Sequence, residues 1–191
     1  MTELSDELLI KEYLGGNAES FGLLFERYKN RVFSYLLVLT RNREEAEDLF
    51  QEIFIKVIDK LPFYREENKF GPWLFTLARN AFLDSRKSSG YLSGKRTFSM
   101  DEPDADGAAL GDRLASDGDP EKNFLSGEEA RKIEAAFGRI SPEQKEVIVL
   151  RHYGGMSFRE ISEQLGLPIG TVLARFSRGA EKLREALKVM Q

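Results

Sequence analysis

The chain has 191 residues, with 28 basic and 32 acidic side chains, 41% hydrophobic residues, one histidine and no cysteine. The lack of cysteine excludes disulfide scaffolds, cysteine metal sites and thiol catalysis, and His152 alone cannot build a multi-histidine metal site. No nucleophile, acid–base pair, phosphate-binding loop or metal cluster emerges from the residues, so we expect no enzyme, no metal and no cofactor. Without a signal-peptide pattern or a run of ~20 apolar residues, we expect a cytoplasmic protein that does not insert into membranes.

The first part of the chain, residues 1–88, carries the period of amphipathic helices. Apolar residues recur at three- and four-residue steps from Ala18 to about Thr40, which predicts a long helix. A shorter helix over 6–14 precedes it, with Ser5 as its cap. Further helices are predicted over 43–60, ending before Pro62, and from about Gly71 to residue 87. No alternation typical of strands competes with this prediction.

The predicted helix over 43–60 has two faces of different kind. One face carries the apolar stripe that includes Ile53 and Val57, whereas the opposite face is acidic and holds Ile55 in its midst. A solvated face by itself explains the carboxylates. An exposed apolar residue ringed by acidic and amide groups favours docking on a basic partner instead.

The next segment, residues 63–87, combines aromatic and basic side chains. The predicted helix leaves an outward stripe of Thr76, Arg79, Asn80, Leu83, Arg86 and Lys87. Cations that neutralise phosphates, beside rings that stack on bases, are what single-stranded DNA binding requires.

Aromatic residues at helical spacing are also common in protein cores. We therefore assign Phe82 and Trp73 to packing first. Phe63, Tyr64 and Phe70 flank a turn and are expected to be freer.

Residues 89–124 are rich in glycine and acidic side chains and lack a periodic apolar pattern. Eight carboxylates lie among residues 101–121, opposed only by Arg113. The sequence therefore predicts an all-α protein in which a flexible acidic linker joins two small helical domains. The linker either tethers and solubilises, or its charge mimics nucleic acid.

The last part, residues 125–191, contains a predicted helix-turn-helix. Ser157 and Glu160 form a capping box that opens its first helix, Gly166 ends that helix, and a second helix follows Pro168. The second helix turns small and cationic residues outward, which suits a major groove. A helix starting at Ser141-Pro142 can pack beneath the pair. An ordinary helical hairpin explains the same pattern without DNA.

Three stretches in this order resemble bacterial extracytoplasmic-function (ECF) sigma factors, the two-domain group of RNA polymerase sigma subunits of the sigma-70 family. They are AEDLFQEIFIKV (46–57), FGPWLFTLARNAFLDSRK (70–87) and SPEQKEVIVLRHYGGMSFREISEQLGLPIGTVLARFSRGAEKLREAL (141–187). The resemblance implies a sigma factor that binds core RNA polymerase and promoter DNA and directs promoter-specific initiation. It assigns sigma region 2 to residues 1–88 and region 4 to residues 125–191, and implies an anti-sigma factor as a partner.

The resemblance also implies where each partner binds. The acidic face would dock on the clamp helices of core polymerase through Asp48, Gln51, Glu52 and Ile55. The segment over 63–87 would hold the melted minus-ten strand, with a flipped base in a pocket, through Phe63, Tyr64, Arg65, Lys69, Trp73, Arg79, Asn80, Arg86 and Lys87. The helix-turn-helix would read minus-35 duplex DNA through Arg151, Thr171, Leu173, Ala174, Arg175, Ser177, Arg178 and Lys182.

The sequence departs from the common family pattern at two places. Leu173 stands where many members have a basic residue, so an apolar contact with a thymine methyl could replace a polar one. Gly179 and Ala180 replace a more typical alanine-arginine pair, which removes a cation. Since glycine costs up to ~1 kcal/mol in a helix interior, Gly179 is also expected to soften the helix.

Two other functions stay open from the residues alone. A stand-alone helix-turn-helix regulator would bind promoter DNA by itself, whereas a sigma factor would bind it poorly until polymerase fixes the separation of its domains. A helical adaptor with no DNA role would use only the acidic face, and charge reversal at Arg178 and Lys182 would be silent. In each case, thiol-based redox sensing would have to lie in a partner.

Overall fold

The computed structural model describes residues 4–65, 68–88 and 135–189, and every regular element within them is helical. The first lobe, the described residues between 4 and 88, contains α1 (Asp6–Leu14), α2 (Ala18–Thr40), α3 (Arg43–Lys60), a 3-10 turn (Leu61–Phe63) and α4 (Phe70–Ser88). The second lobe, residues 135–189, contains α5 (Pro142–His152), α6 (Phe158–Leu165) and α7 (Ile169–Val189). The prediction of two helical domains is confirmed. The predicted acidic linker at 89–124 lies outside the described residues.

Side-chain caps fix where the helices of the first lobe begin. Ser5 Oγ accepts a hydrogen bond from the Leu8 amide at 3.3 Å, and Asn42 Oδ1 accepts one from the Glu45 amide at 3.2 Å. These bonds satisfy amide groups that have no partner within the helix. Because capping depends on neighbouring residues, these helix starts follow from the local sequence.

The helix α2 is the centre of the first lobe, because α1, α3 and α4 all pack on it. Val32, Tyr35 and Leu36 of α2 are fully buried, at the three- and four-residue spacing of one helical face. The ring of Tyr35 meets Phe75 of α4 edge-on, with centroids 5.3 Å apart. The packing of α2 therefore fixes the position of α4 and of the loop that precedes it.

The helix α5 supports the helix-turn-helix of the second lobe and packs against both α6 and α7. A capping box opens it: the Gln144 amide donates to Ser141 Oγ at 3.4 Å, and the Ser141 amide donates to Gln144 Oε1 at 3.2 Å. Val147 and Leu150 are fully buried. The predicted supporting helix is thus present, with the start that the sequence indicated.

Two features of the described residues concern classes of function. No helix among them is long and apolar enough to cross a membrane. Within the same residues, no group of three or more histidine, aspartate or glutamate side chains is placed to hold a metal ion.

The helix α7 lies close to α5 at Gly179. A Cβ atom there would lie 2.7 Å from Cδ1 of Ile148 and 3.0 Å from Cβ of Gln144. The flexible end of Ile148 can turn aside, but Gln144 Cβ can move only if α5 moves with it. The glycine that the sequence predicts to soften α7 therefore also allows the two helices to pack closely.

We expect Gly179→Ala to lower the free energy of unfolding by about 1 kcal/mol, because the overpacking cost exceeds the ~1 kcal/mol of helix propensity that alanine adds. Gly22→Ala is the matched control, since Gly22 lies within α2 and a Cβ there meets no atom within 4 Å. The control should be stabilised by up to ~1 kcal/mol. Urea denaturation measures both variants, and a stabilised Gly179→Ala would show that α5 yields without cost.

Candidate nucleic-acid and protein interfaces

The outer face of α3 is exposed as the sequence predicted. Asp48, Gln51 and Glu52 are open to solvent, and Ile55 among them is 61% exposed. Ile58, one turn further on, is 42% exposed. The sequence analysis missed Ile58, although its three-residue spacing from Ile55 was the available signal. Together these residues form an apolar patch bordered by carboxylates, which we call the acidic face.

The loop after α3 is held by a cluster of three rings. Tyr64 and Trp73 lie edge-on with centroids 5.2 Å apart, and Phe70 is within 6 Å of both. The Tyr64 hydroxyl accepts a hydrogen bond from the Lys69 amide at 3.2 Å. The expectation that Phe70 is free was wrong: it is 2% exposed, because its ring packs on Tyr28 of α2.

Phe63 and Arg65 stand outside this ring cluster. Phe63 is 76% exposed, which fits the expectation of a free ring. Arg65 folds back, and its guanidinium donates to the carbonyl oxygens of Pro62 and Tyr64, at 3.0 Å in both cases. The loop therefore presents one open aromatic face beside a cation whose position is fixed by the backbone.

The outward stripe of α4 divides into open and engaged side chains. Asn80 and Lys87 are exposed, and Phe82 is buried as predicted. Arg86 pairs with Glu45 of α3 at 3.2 Å, and Arg79 pairs with Glu146 of α5 at 2.8 Å. Lys87, although exposed, also lies 3.3 Å from Asp84, so three cations of α4 predicted to meet DNA already face carboxylates within the chain.

The helix-turn-helix has the local geometry that the sequence predicted. The Ser157 amide donates to Glu160 Oε2 at 2.8 Å and the Glu160 amide donates to Ser157 Oγ at 3.2 Å, completing the capping box. Gly166 ends α6 in the left-handed conformation, with φ of 64°, which glycine adopts without strain. Pro168 immediately precedes α7, and its carbonyl accepts from the Thr171 amide at 2.9 Å.

The helix α7 buries one side and opens the other. Val172 is fully buried, whereas Leu173 is 45% exposed. Ser177, Arg178 and Lys182 are exposed, and Thr171 and Ala174 are half-buried. Ile169 at the start of the helix is 49% exposed; the sequence analysis did not single it out, although it lies one turn before Leu173.

Arg151 and Arg175 have neighbours within the second lobe. Arg151 donates to the Met156 carbonyl at 2.7 Å and its guanidinium lies 5.0 Å from the ring centroid of Phe158. Arg175 lies close enough to Glu143 to affect its titration: a hydrogen bond from Ser141, with a smaller effect of Arg175, lowers the pKa of the Glu143 carboxyl. Arg151 is therefore engaged within the lobe, and the DNA contacts predicted for both arginines stay predictions.

Comparison with known sequences agrees with this arrangement. The family models described as Sigma-70 region 2 and Sigma-70, region 4 match residues 24–90 and 130–183. The ECF RNA polymerase sigma-E factor of Haemophilus influenzae is 30% identical over 190 residues, which cover 97% of each chain. The ECF RNA polymerase sigma factor SigW of Bacillus subtilis is 29% identical over 183 residues, which cover 94% of this chain and 95% of SigW.

Two solved structures share the fold. The sigma factor RpoE from Bartonella quintana, determined in complex with the anti-sigma factor NepR, superposes with a TM-score of 0.65 at 22% identity, over 91% of this chain and 100% of the other. CnrH, in complex with the cytosolic domain of CnrY, gives a TM-score of 0.64 at 22% identity, over 96% and 97% of the two chains. Because both sigma regions are matched and the chain is 30% identical to a sigma-E factor over nearly its full length, it belongs to the ECF sigma factors of the sigma-70 family, which direct promoter-specific initiation of transcription.

Proposed function

We propose that this sigma factor works through three separate surfaces. The acidic face of α3 binds core RNA polymerase, the loop over 63–70 with the outer side of α4 binds the melted minus-ten strand, and α7 reads the minus-35 duplex. The observation that carries the proposal is that α7 buries one side and exposes the other: Val172 is fully buried, whereas Leu173 is 45% exposed. A helix packed in this way can enter a major groove without unfolding its support.

The acidic face has the features of a protein interface. Burial of Ile55 and Ile58, which are 61% and 42% exposed, would contribute about 1.5–3 kcal/mol for each side chain that becomes fully covered. The surrounding Asp48 and Glu52 would steer the face towards a basic partner. Clamp helices with basic side chains on polymerase would meet both requirements.

The minus-35 surface combines charge with close approach. Arg178 and Lys182 are exposed and form no ion pair with another described residue, so both cations are available for phosphates or base edges. Ala174 and Ser177 are small and let the helix backbone come near the bases. Leu173 adds an apolar group on the same side, which fits contact with a thymine methyl group.

The minus-ten surface offers a ring and an amide. Phe63, 76% exposed, can stack on an unpaired base, and Asn80 is exposed for hydrogen bonds to a base edge. Extruding a base costs a few kcal/mol, which stacking and hydrogen bonds in a pocket repay. The ring cluster of Tyr64, Phe70 and Trp73 would hold the loop in place during this exchange.

Three finer features belong to the same proposal. Region 2 extends over 1–88, the acidic linker over 89–124 and region 4 over 125–191. An anti-sigma factor binds the chain, as NepR binds RpoE in a solved structure of this fold. The chain acts in the cytoplasm, without catalysis of its own, where polymerase and promoter DNA are found.

Transcription by bacterial core RNA polymerase tests the proposed function directly. The purified chain, added to core polymerase on a supercoiled promoter library, should produce new transcript starts that share two spaced upstream elements. Sequencing of the transcript 5′ ends reads out both elements at once. No stimulation, together with tight sequence-specific DNA binding by the chain alone, would instead identify a stand-alone regulator.

The polymerase and duplex surfaces should fail independently when each is mutated. Ile55→Lys should weaken binding to core polymerase by about 10-fold to 100-fold, because it removes an interfacial apolar side chain, and should leave minus-35 duplex binding intact. Arg178→Glu should weaken binding to the minus-35 duplex and leave binding to core polymerase intact. Binding titrations of both variants with labelled core polymerase and labelled duplex measure the four affinities, and equal loss of both activities in either variant would argue against separate surfaces.

Leu173 should make recognition sensitive to thymine methyl groups. Replacing thymine by deoxyuracil across the selected minus-35 duplex removes only those methyl groups, and should weaken binding by about fivefold to tenfold. The Leu173→Ala variant should bind the two duplexes equally, since the apolar partner is gone. Anisotropy titrations give the affinities, and a penalty for deoxyuracil that persists in Leu173→Ala would assign the methyl contact to another residue.

A further inference from the structure

The two lobes meet on the side of the first lobe that carries the minus-ten surface. Nε of Arg79 donates to Glu146 Oε1 at 2.8 Å, and each of the two side chains is only 19% exposed. Lys69 approaches Glu160 of α6 at 3.9 Å. Carboxylates of the second lobe thus lie against two cations that we assign to DNA binding.

A second contact between the lobes uses Arg31 of α2. Its Nε and Nη2 atoms both donate to the Tyr153 carbonyl, at 2.9 and 2.6 Å. The same guanidinium lies over the rings of Tyr28 and Phe75, 5.4 and 5.8 Å from their centroids. A planar group with two donors, stacked on rings, holds one geometry that a lysine cannot reproduce.

The contact between the lobes is continuous. Most of the buried apolar residues of the described chain belong to one cluster that includes residues of both lobes, and a Cβ at Gly71 would lie 3.6 Å from the carbonyl oxygen of Gly154. Beside this contact, a groove is lined from the first lobe by Trp73, Thr76 and Asn80 and from the second by Met156, Glu163 and Gln164. The minus-ten residues therefore form one wall of an interface between the lobes.

Two buried polar side chains form no hydrogen bond with another described residue. The side-chain amide of Gln164 and the hydroxyl of Tyr35 are buried without a hydrogen-bond partner among the described residues. Burial raises the pKa of the Tyr35 hydroxyl, and the carboxylate of Glu146 in the second lobe raises it further. Buried polar groups without partners destabilise the state that contains them, so the closed arrangement can open when a competing partner binds.

We propose that in the free chain the second lobe closes against the side of the minus-ten surface that carries Lys69 and Arg79, latched by the Arg79–Glu146 pair and by the contact of Arg31 with Tyr153. This inference rests on the proposed function of that surface. Glu146 and Glu160 occupy the cations that strand phosphates would otherwise neutralise, so closure and strand phosphates compete for them, while Phe63 and Asn80 stay exposed. The outer side of α7 is not covered: Leu173 is 45% exposed, and Arg178 is exposed. Closure therefore weakens single-strand binding and spares duplex binding.

Two variants of the full chain open the latch by different means. Glu146→Gln removes the charge that holds Arg79, and Arg31→Lys keeps the net charge while losing the two-donor contact. Glu47→Gln is the matched control, because it removes one carboxylate from an exposed ion pair with Arg43 on α3. The chain has no cysteine, so dyes attached to Lys11→Cys and Lys188→Cys report the separation of the lobes by energy transfer.

Both latch variants should shift the dyes to longer separation. They should also bind a fluorescent oligothymidylate of about 12 nucleotides roughly tenfold tighter than the parent chain, because the binding-competent open form becomes more populated. Glu47→Gln should match the parent in both measurements. Binding to a duplex of the same length should be unchanged in all variants.

Each of the following results would overturn the proposed latch. Unchanged dye separation in both latch variants would show that these contacts do not hold the lobes. Tighter strand binding by Glu146→Gln but not by Arg31→Lys would assign the gain to removal of a repelling charge, as would an equal gain for duplex DNA. Open lobes without tighter strand binding would show that closure and the strand do not compete.

The latch and the proposed function fail in different measurements. Dye separation is recorded without DNA or polymerase, so it tests the latch alone. Initiation with core polymerase tests the proposed function, and both latch variants should retain it because polymerase holds the lobes apart. A parent chain that closes but never initiates would refute the sigma function of these surfaces while leaving the closed arrangement in place.

Discussion

The rest of the structure depends on the contacts of one side chain, Tyr28 of α2, with α1, with α4 and with Arg31. Its hydroxyl donates to the carboxylate of Asp6 at the start of α1, its ring packs edge-on against Phe70 at 5.2 Å, and the guanidinium of Arg31 lies over its other side. Burial, together with the hydrogen bond to Asp6, raises the pKa of the Tyr28 hydroxyl, so it remains a donor throughout the physiological range. The Tyr28 side chain thus contacts Asp6 of α1, Phe70 at the start of α4 and Arg31, which contacts the second lobe.

Because of these contacts, the rings of Tyr64, Phe70 and Trp73 are held in place before any DNA binds. Phe70 is held by Tyr28, and Tyr64 and Trp73 pack on Phe70 in turn, so these three rings do not depend on DNA to take up their positions. A surface that is ordered in advance loses less conformational entropy when it binds. The ring left exposed, Phe63, is then a stacking group on a fixed support, which is what a sequence-tolerant base platform needs.

The sequence predicted the features that depend on residues close to one another along the chain, namely helix caps and helix faces. Ser5 and Ser157 cap helices through residues three positions away, and the acidic face of α3 follows from the period of one helix. The inner seam of α7 was predicted in the same way.

What the sequence could not show are contacts between distant residues. Phe70 was expected to be free because its partner Tyr28 lies on another helix. Arg79 and Glu146 are 67 residues apart, and Arg31 and Tyr153 are 122 apart. Neither periodicity nor capping signals such pairs, since they depend on how the helices pack in space. The residues that we infer to regulate the site are therefore those that a motif search passes over.

The distribution of charge explains how a chain with a net charge of -4 can serve as a DNA-binding protein. Cations on α4 are countered within the chain, Arg86 by Glu45 and Arg79 by Glu146, which weakens the sequence-independent attraction to phosphates. Only contacts that separate the lobes release Arg79. If polymerase supplies that separation by binding the acidic face and the second lobe at fixed positions, strand affinity appears where polymerase is already bound. If the proposed latch holds, the same carboxylates reduce binding of the free chain to DNA and restrict melting to promoters.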